Sequence, residues 1–309
     1  MLNRKISAID ISKLLELDFY GSNVLVEGLN FCDRKSNYES ILSFTTSIKY
    51  LKSFKNNTSI KILFLTENLF RKYKEIRNAT FFVVPNPEES FYKLHNSLLD
   101  NNFYSLPKNG YILTDKIHPS AIIDSNAKIG KNVIIGANSV ICSGSEISDN
   151  VIIGCNTVIG AEGFQIVYYD GIPQIIRHVG GVHIEKNVFI GDSCSIHKSL
   201  FESCTVIKSN TKINSQVHIG HNCFIGKNTV ITANCVLMGS VELGNNVWVA
   251  PSSTISNGVK LSDNTFIGSS SLVTRDSTVG QKLMGSPAIE FKKYAKLIIK
   301  QKKDLNKLK

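Results

Sequence analysis

The sequence predicts a mainly β chain: a long parallel β-helix, preceded by a small α/β domain and followed by a C-terminal helix. Three observations carry that expectation. Aliphatic residues recur at every sixth position over most of 117–279. The residues before Ile117 lack this period and mix helical with strand-like segments. The final stretch, 288–309, is rich in lysine with apolar residues at helical spacing.

The first domain is expected over 1–112. A helix is predicted around Ile9 to Leu17, with strands at 23–27, 61–65 and 80–84. Pro87-Glu88-Glu89 opens a second helix that runs to about Leu99. Proline suits the first helical position, and acids in the first turn complement the helix dipole. Asn101-Asn102 and Pro107-Lys108-Asn109-Gly110 read as the connector.

The β-helix is expected over 113–287. Eight isoleucines from Ile117 to Ile159 keep a period of six without a slip. A second phase runs Ile184, Ile190, Ile196, and a third runs from Ile207 to Val279. A period of six is neither helical nor that of a two-sided strand. It fits a short strand followed by a tight turn. One such unit cannot bury its aliphatic residue, whereas stacked units bury a continuous column. Three units close a triangular coil, and successive coils lie about 4.8 Å apart, the spacing of paired strands. Residues 160–181 interrupt the pattern and are expected to form a long loop without structure of its own. Such loops inside a regular array are usually functional. The phase slips by one residue between Ile196 and Ile207, and the array ends near Gly285-Ser286-Pro287-Ala288, where proline stops regular pairing. The tail is expected as a helix over 288–309 with Ile289, Tyr294, Leu297, Ile298 and Leu305 on its apolar face.

Composition narrows the function. The chain has 309 residues, 42% hydrophobic and 19% charged, which is a globular balance. No apolar run is long enough to span a bilayer, and the first residues lack a signal-peptide core, so the expected location is the cytoplasm. The seven cysteines include no C-x-x-C pair, which argues against a zinc knuckle or a thioredoxin-type site. Cys194, Cys223 and Cys235 each lie four residues after a repeat isoleucine and are expected as buried thiols. The net charge of +10 resides mostly in 291–309, which holds eight lysines against Asp304 alone. Charge confined to one helix argues against nucleic-acid binding. The absence of a glycine-rich loop in the first domain argues against a nucleotidyltransferase.

The stretch HPSAIIDSNAKIGKNVIIGANSVI, Ile172-Pro173-Gln174 and Ile219-Gly220-His221-Asn222 together resemble the UDP-3-O-acylglucosamine N-acyltransferases of lipid A synthesis. Leu42-Ser43-Phe44 followed by Lys49-Tyr50 is similar to that family's uridine-binding segment. The resemblance implies a left-handed β-helix and a homotrimer with active sites between subunits. It implies a UDP-linked amino sugar as acceptor and an acyl carrier protein or coenzyme A thioester as donor, with no cofactor or metal. Amide formation from a thioester needs a base for the amine proton and donors for the developing oxyanion. His221 is the candidate base, and Gly239, one coil further on, the candidate oxyanion donor. Candidate substrate-binding residues are Phe44, Ser47 and Tyr50 for the uridine, Phe164 and Gln174 in the interrupting loop, and Asn214, Gln216, His218 and Asn222 around the base. The basic tail is a candidate docking element for an acidic carrier protein; a merely solvated lysine face is the competing explanation.

Several positions depart from the family. Asn214-Ser215 stands where Asp-Asn is usual, and Ser195-Ile196-His197-Lys198 where Thr-Ile-Asp-Arg is usual. A second histidine is replaced within Ser256-Asn257-Gly258, and Ser47 takes the place of Asn. These changes point to a different amino sugar or acyl donor, including acetyl transfer from acetyl-coenzyme A to a nucleotide-linked aminodeoxy sugar. Two other classes compete: a γ-carbonic-anhydrase-like metal enzyme, echoed by His178 and His183, and a non-catalytic sugar-nucleotide-binding trimer.

Overall fold

The computed structural model describes residues 5–34, 36–73, 79–104, 117–201 and 203–306. The chain divides into two compact units, Met1–Tyr111 and Ile112–Lys309. The connector motif Pro107-Lys108-Asn109-Gly110 and the end of the tail, 307–309, lie outside the described residues. No helix among the described residues is long and apolar enough to cross a membrane.

In the first unit, four parallel strands pair in the order Gly28–Leu29, Ile41–Phe44, Ile60–Leu65, Thr80–Val83. Side chains alternate across a strand. Ile62 and Phe64 therefore join one cluster, with Ile11 and Leu94 from the helices Ala8–Leu15 and Pro87–Asp100. Leu63 and Leu65 join another, with Leu51 and Phe54 from the helix Ile48–Asn56, and Ile60 joins them across the register shift beside Leu42. Ser7 and Asp10 form a capping box on the first helix, and Asn86 caps the helix opened by Pro87. The strand expected at 23–27 contracts to Leu25–Val26, which pairs antiparallel with Ile6–Ser7.

In the second unit the period of six becomes a left-handed parallel β-helix. Among the described residues its strands stack into three sheets of eight, seven and nine members, each coil but the last giving one strand to each sheet and the ninth strand of the largest sheet being the antiparallel Ile289–Glu290. Ile219 pairs with Leu237 and Ile225 with Leu243, so one coil is 18 residues. From Ile135 to Val273 the repeat aliphatics are almost wholly buried in one column. The ends of the pattern differ from expectation. Ile117 is 41% exposed and Val279 69% exposed. The last coil shortens: Leu283, rather than residue 285 one full coil on, stacks on Ile267.

Corner residues explain the rest of the hexad. At one corner Asn132, Asn150, Asn187, Asn210, Asn228, Asn246 and Asn264 all adopt left-handed backbone. Asparagine tolerates this conformation because its short side chain can bond locally. From Asn132 to Asn228, each side-chain amide donates to the next asparagine at 3.2–3.3 Å. Small buried residues donate inward to a carbonyl of the next coil, as Ser139 does to Gly154 and Thr211 to Gly226. The cysteines play the same part: the Cys194, Cys223 and Cys235 thiols donate to Asn214, Met238 and Ala250. Burial pushes the Cys223 thiol up to about 12, so it remains protonated.

Two expectations need correction. The interruption is not structureless: Ile166–Tyr169 and Ile172–Ile175 form an antiparallel hairpin. Asp170 and Gly171 both have positive φ, the turn that matches the twist of paired strands. The tail does not become helical at Ala288. Ile289–Glu290 first pairs antiparallel with Lys282–Met284, and the helix is Phe291–Asn306.

Ile231 is fully buried in the column. Replacing it with Ala removes buried methylenes and leaves a cavity that stacked backbones cannot close. The expected loss is about 2–5 kcal/mol, read as a lowered urea midpoint with an unchanged slope.

Candidate active site

His221 follows the strand His218–Ile219 at a corner of the coil, and its side chain is half-buried. Its Nδ1 lies 2.9 Å from Asn222 Oδ1. The orientation of the Asn222 amide is set by its other partners. Oδ1 accepts from the Leu200 N–H at 3.0 Å, and Nδ2 donates to Ser199 Oγ. Ser199 Oγ in turn bonds Ser203 Oγ. Because Asn222 presents an acceptor, the neutral His221 ring carries its proton on Nδ1 and the lone pair on Nε2. A hydrogen bond at one ring nitrogen selects the role of the other in this way.

That lone pair faces the next coil. The Ser240 N–H donates to the His221 carbonyl, which seats Gly239 over His221. An ideal Cβ on Gly239 would lie 2.6 Å from His221 Nε2 and 3.0 Å from Asn257 Oδ1. Only glycine leaves this space free. Among the described residues no acceptor is found for the Gly239 N–H. The site thus sets a general-base nitrogen beside a free backbone donor, the pair that acyl transfer requires.

Three further histidines surround the base. The rings of His178 and His221 meet edge-on with centroids 5.0 Å apart, and those of His197 and His218 at 4.6 Å. Burial, and then the imidazoles of His218, His221 and His178, push His197 down to about 4; burial also lowers His218. Both are therefore neutral at neutral pH. Partial desolvation pushes the Glu162 carboxyl up, but bonds from Lys198 and the His178 N–H outweigh it and hold it below its usual range. His183 does not join the cluster: it lies in the strand Gly181–Ile184, 3.7 Å from Glu146. Among the described residues no group of three or more His, Cys, Asp and Glu is placed to hold a metal ion.

The depressed His197 has a consequence for stability. The unfolded chain takes up a proton at about 6.5, while the folded protein resists until about 4. Stability is therefore full above the upper value and falls as pH drops through this window. The fall in melting temperature from pH 7 to pH 5 is expected to be smaller in His197→Asn than in the parent chain.

The other candidate residues fall into separate places. His218 and Asn222 adjoin the base. Gln216, in left-handed backbone, and the exposed Asn214 lie at a different corner of the same coil. Phe164 is 70% exposed, and Gln174 pairs with Val167 in the hairpin. In the first unit, Phe44 and Tyr50 line one cavity of about 300 Å³ with Phe31, Arg34 and Glu88. Phe44 packs against Phe91 at 4.9 Å, and the Arg34 guanidinium lies 4.6 Å over the Phe31 ring. Ser47 caps the helix Ile48–Asn56 by position only, with no side-chain bond to its first turn. Sequence reasoning missed Arg34, Ser199 and Leu200, because none belongs to a local motif, and it considered His178 only as a metal ligand beside His183. Asn222, a substrate-binding candidate in the sequence, is instead the hydrogen-bond partner of the base.

The family models match in two places. Bacterial transferase hexapeptide repeats match 116–149 and 126–161, and the hexapeptide repeat of succinyl-transferase matches 216–251. Fold and repeats together define a hexapeptide-repeat transferase. The UDP-3-O-acylglucosamine N-acyltransferase of Campylobacter lari is 34% identical over 260 residues, which is 77% of this chain and 79% of that one. The chain therefore belongs to the UDP-3-O-acylglucosamine N-acyltransferase family. A Helicobacter pylori enzyme of the same name is 35% identical over 123 residues, 40% of this chain and 31% of that one. The solved UDP-N-acetylglucosamine acyltransferase from Campylobacter jejuni is 26% identical, covers 57% of this chain and 73% of that one, and has a TM-score of 0.47.

Proposed function

We propose that this chain transfers an acyl group from a thioester to the amine of a UDP-linked 3-O-acylglucosamine, with His221 as general base, in the synthesis of lipid A or a related surface glycan. The observation that carries this reading is the lone-pair nitrogen of His221 facing the space kept free by Gly239. The amine nitrogen attacks the thioester carbonyl while His221 Nε2 removes its proton. The Gly239 N–H donates to the oxyanion. Collapse breaks the carbon–sulfur bond, and the leaving thiolate takes the proton from the His221 imidazolium. The reaction needs no redox partner, and the donor is an acyl carrier protein or coenzyme A thioester.

The remaining candidates take supporting roles. Phe44 and Tyr50 hold the uracil ring, stacking being the contact an aromatic side chain makes with a base. Residues 1–112 form the uridine-binding domain, 113–287 the acyltransferase domain and 288–309 a basic element that steers an acidic carrier protein. The working assembly is a cytoplasmic homotrimer. Asn214 and Gln216, at a different corner from His221, and the exposed Phe164 and Gln174 serve substrate in the clefts between copies. His197, neutral in place of an aspartate, adapts the pocket to its acceptor.

The test is direct. The purified protein is offered UDP-3-O-acylglucosamine and other UDP- and dTDP-amino sugars, with long-chain acyl carrier protein and acetyl-coenzyme A in separate reactions, and products are detected by mass. Long-chain transfer to the glucosamine substrate is expected. Acetylation of a different sugar alone would move the protein to glycan diversification, and no acyl transfer in any pairing would refute the assignment.

A further inference from the structure

The hairpin insertion returns to the coil through His178, and its contacts there are unlike those of an ordinary core residue. The His178 side chain is wholly buried. Nδ1 lies 3.1 Å from the Ile176 carbonyl and 3.5 Å from Glu162 Oε1. The His178 N–H donates to the same carboxylate, which Lys198 also grips at 2.8 Å. Nε2 is buried with no partner among the described residues. Leaving a buried nitrogen unpaired is costly, so its retention calls for an explanation.

Two observations supply one. The His178 ring meets His221 edge-on, with centroids 5.0 Å apart. Gly163 lies on its other side, where an ideal Cβ would be 2.2 Å from His178 Nε2. Gly163 does not have left-handed backbone, so conformation does not demand glycine there. The space is reserved for the imidazole. The residues after His178 reinforce the arrangement. Val179 N–H donates to the Leu200 carbonyl and Gly180 N–H to the Ser199 carbonyl. Leu200 and Ser199 are the two residues that hold the Asn222 amide. One segment therefore touches the base ring directly and also braces the residues that orient its Nδ1 partner.

We propose that His178 is a positioning residue, whose ring, anchored through Nδ1 and seated on Gly163, fixes the His221 imidazole with Nε2 toward Gly239. The unpaired Nε2 is the cost of using a ring that is polar at its anchor and bare where it packs. Its role also ties the geometry of the base to that of the hairpin, which presents Tyr168 and Ile172 at its exposed surface. The inference rests on His221 being the base.

The experiment compares steady-state kinetics of acyl transfer in His178→Ala, His178→Phe, Gly163→Ala, the Gly163→Ala/His178→Ala double variant and His221→Ala. A small misplacement of a catalytic group costs on the order of tenfold to a hundredfold in rate. His178→Ala and Gly163→Ala are expected to lower kcat by that amount with KM for the sugar nucleotide within about twofold. His178→Phe, which keeps the ring, is expected to restore kcat to within about threefold of the parent. The double variant is expected to be no worse than His178→Ala, because both changes act on one contact. An unchanged kcat in His178→Ala, with His221→Ala inactive, overturns the inference and leaves the base assignment standing. Full activity in His221→Ala overturns both. If His178→Ala does not fold, Gly163→Ala carries the test, since it keeps every polar group; an unchanged kcat there overturns the proposal.

Discussion

His221→Ala is expected to lower kcat for acyl transfer by about 10²–10⁴-fold, the contribution of a well-placed general base. The fold should survive the change. His221 is half-buried at a corner, outside the aliphatic column that holds the coils together. Its backbone carbonyl continues to accept from Ser240 whatever the side chain. The melting temperature is therefore expected to move little while turnover collapses. KM for the sugar nucleotide should change much less than kcat, because the lost interaction belongs to the transition state. His221→Asn gives a second measure, since it keeps polarity but removes the basic nitrogen. Turnover near the parent rate in either variant would remove His221 from the mechanism.

Gly239→Ala is expected to cost about 10²–10³-fold in kcat, the scale of losing one oxyanion donor. A methyl group at this position adds under a handful of atoms, yet it falls 2.6 Å from His221 Nε2 and 2.7 Å from its neighbouring ring carbon. Either the imidazole swings away from the reacting centre or the backbone shifts and carries the N–H with it. Both outcomes damage the step in which the amine attacks. Gly258 offers the control: a Cβ there meets nothing within 4 Å, although its φ of +72° favours glycine. Gly258→Asn, which tolerates that backbone region, is expected to retain activity within a few-fold, so the loss at Gly239 would reflect the site rather than the coil.

Much of the architecture was legible because stacking imposes one simple rule on the sequence. Every sixth residue of the inner column between Ile135 and Val273 has to be aliphatic outside the insertions, and a period of six follows from the length of a triangle's side. The same rule placed Gly239 against His221 before any coordinates. It failed where the coil changes length. A sixth-residue count leads to Val279, but the final coil shortens and Leu283 fills the column. The hairpin was missed although Asp170-Gly171 between Ile166–Tyr169 and Ile172–Ile175 carries its signal. In the first unit, the helix Ile48–Asn56 is short and lysine-bearing, so its apolar face of Leu51 and Phe54 was too brief to announce itself. The surroundings of the base were the least legible part. Leu200, Ser199 and His178 reach His221 and Asn222 across an insertion and a phase slip, and proximity of that kind leaves no local pattern.

The asparagine ladder governs where this molecule can be edited. It runs from Asn132 to Asn228 down one corner whose left-handed turns continue to Asn264, and a second corner keeps its left-handed turns from Asn138 and Asn156 through Ser193 and Gln216 to Ser270. An extra residue at either corner would break the rungs above and below it. The insertion at 161–180 and the five extra residues between Ile196 and Ile207, which a count by sixes shows only as a slip of one, both enter at the third corner, the one His221 occupies. Two edges of the prism thus act as a fixed ruler, while the third is open to rewriting. Variation in acceptor or acyl chain among relatives is expected to accumulate along that single edge, and loop grafts intended to redirect the enzyme belong there.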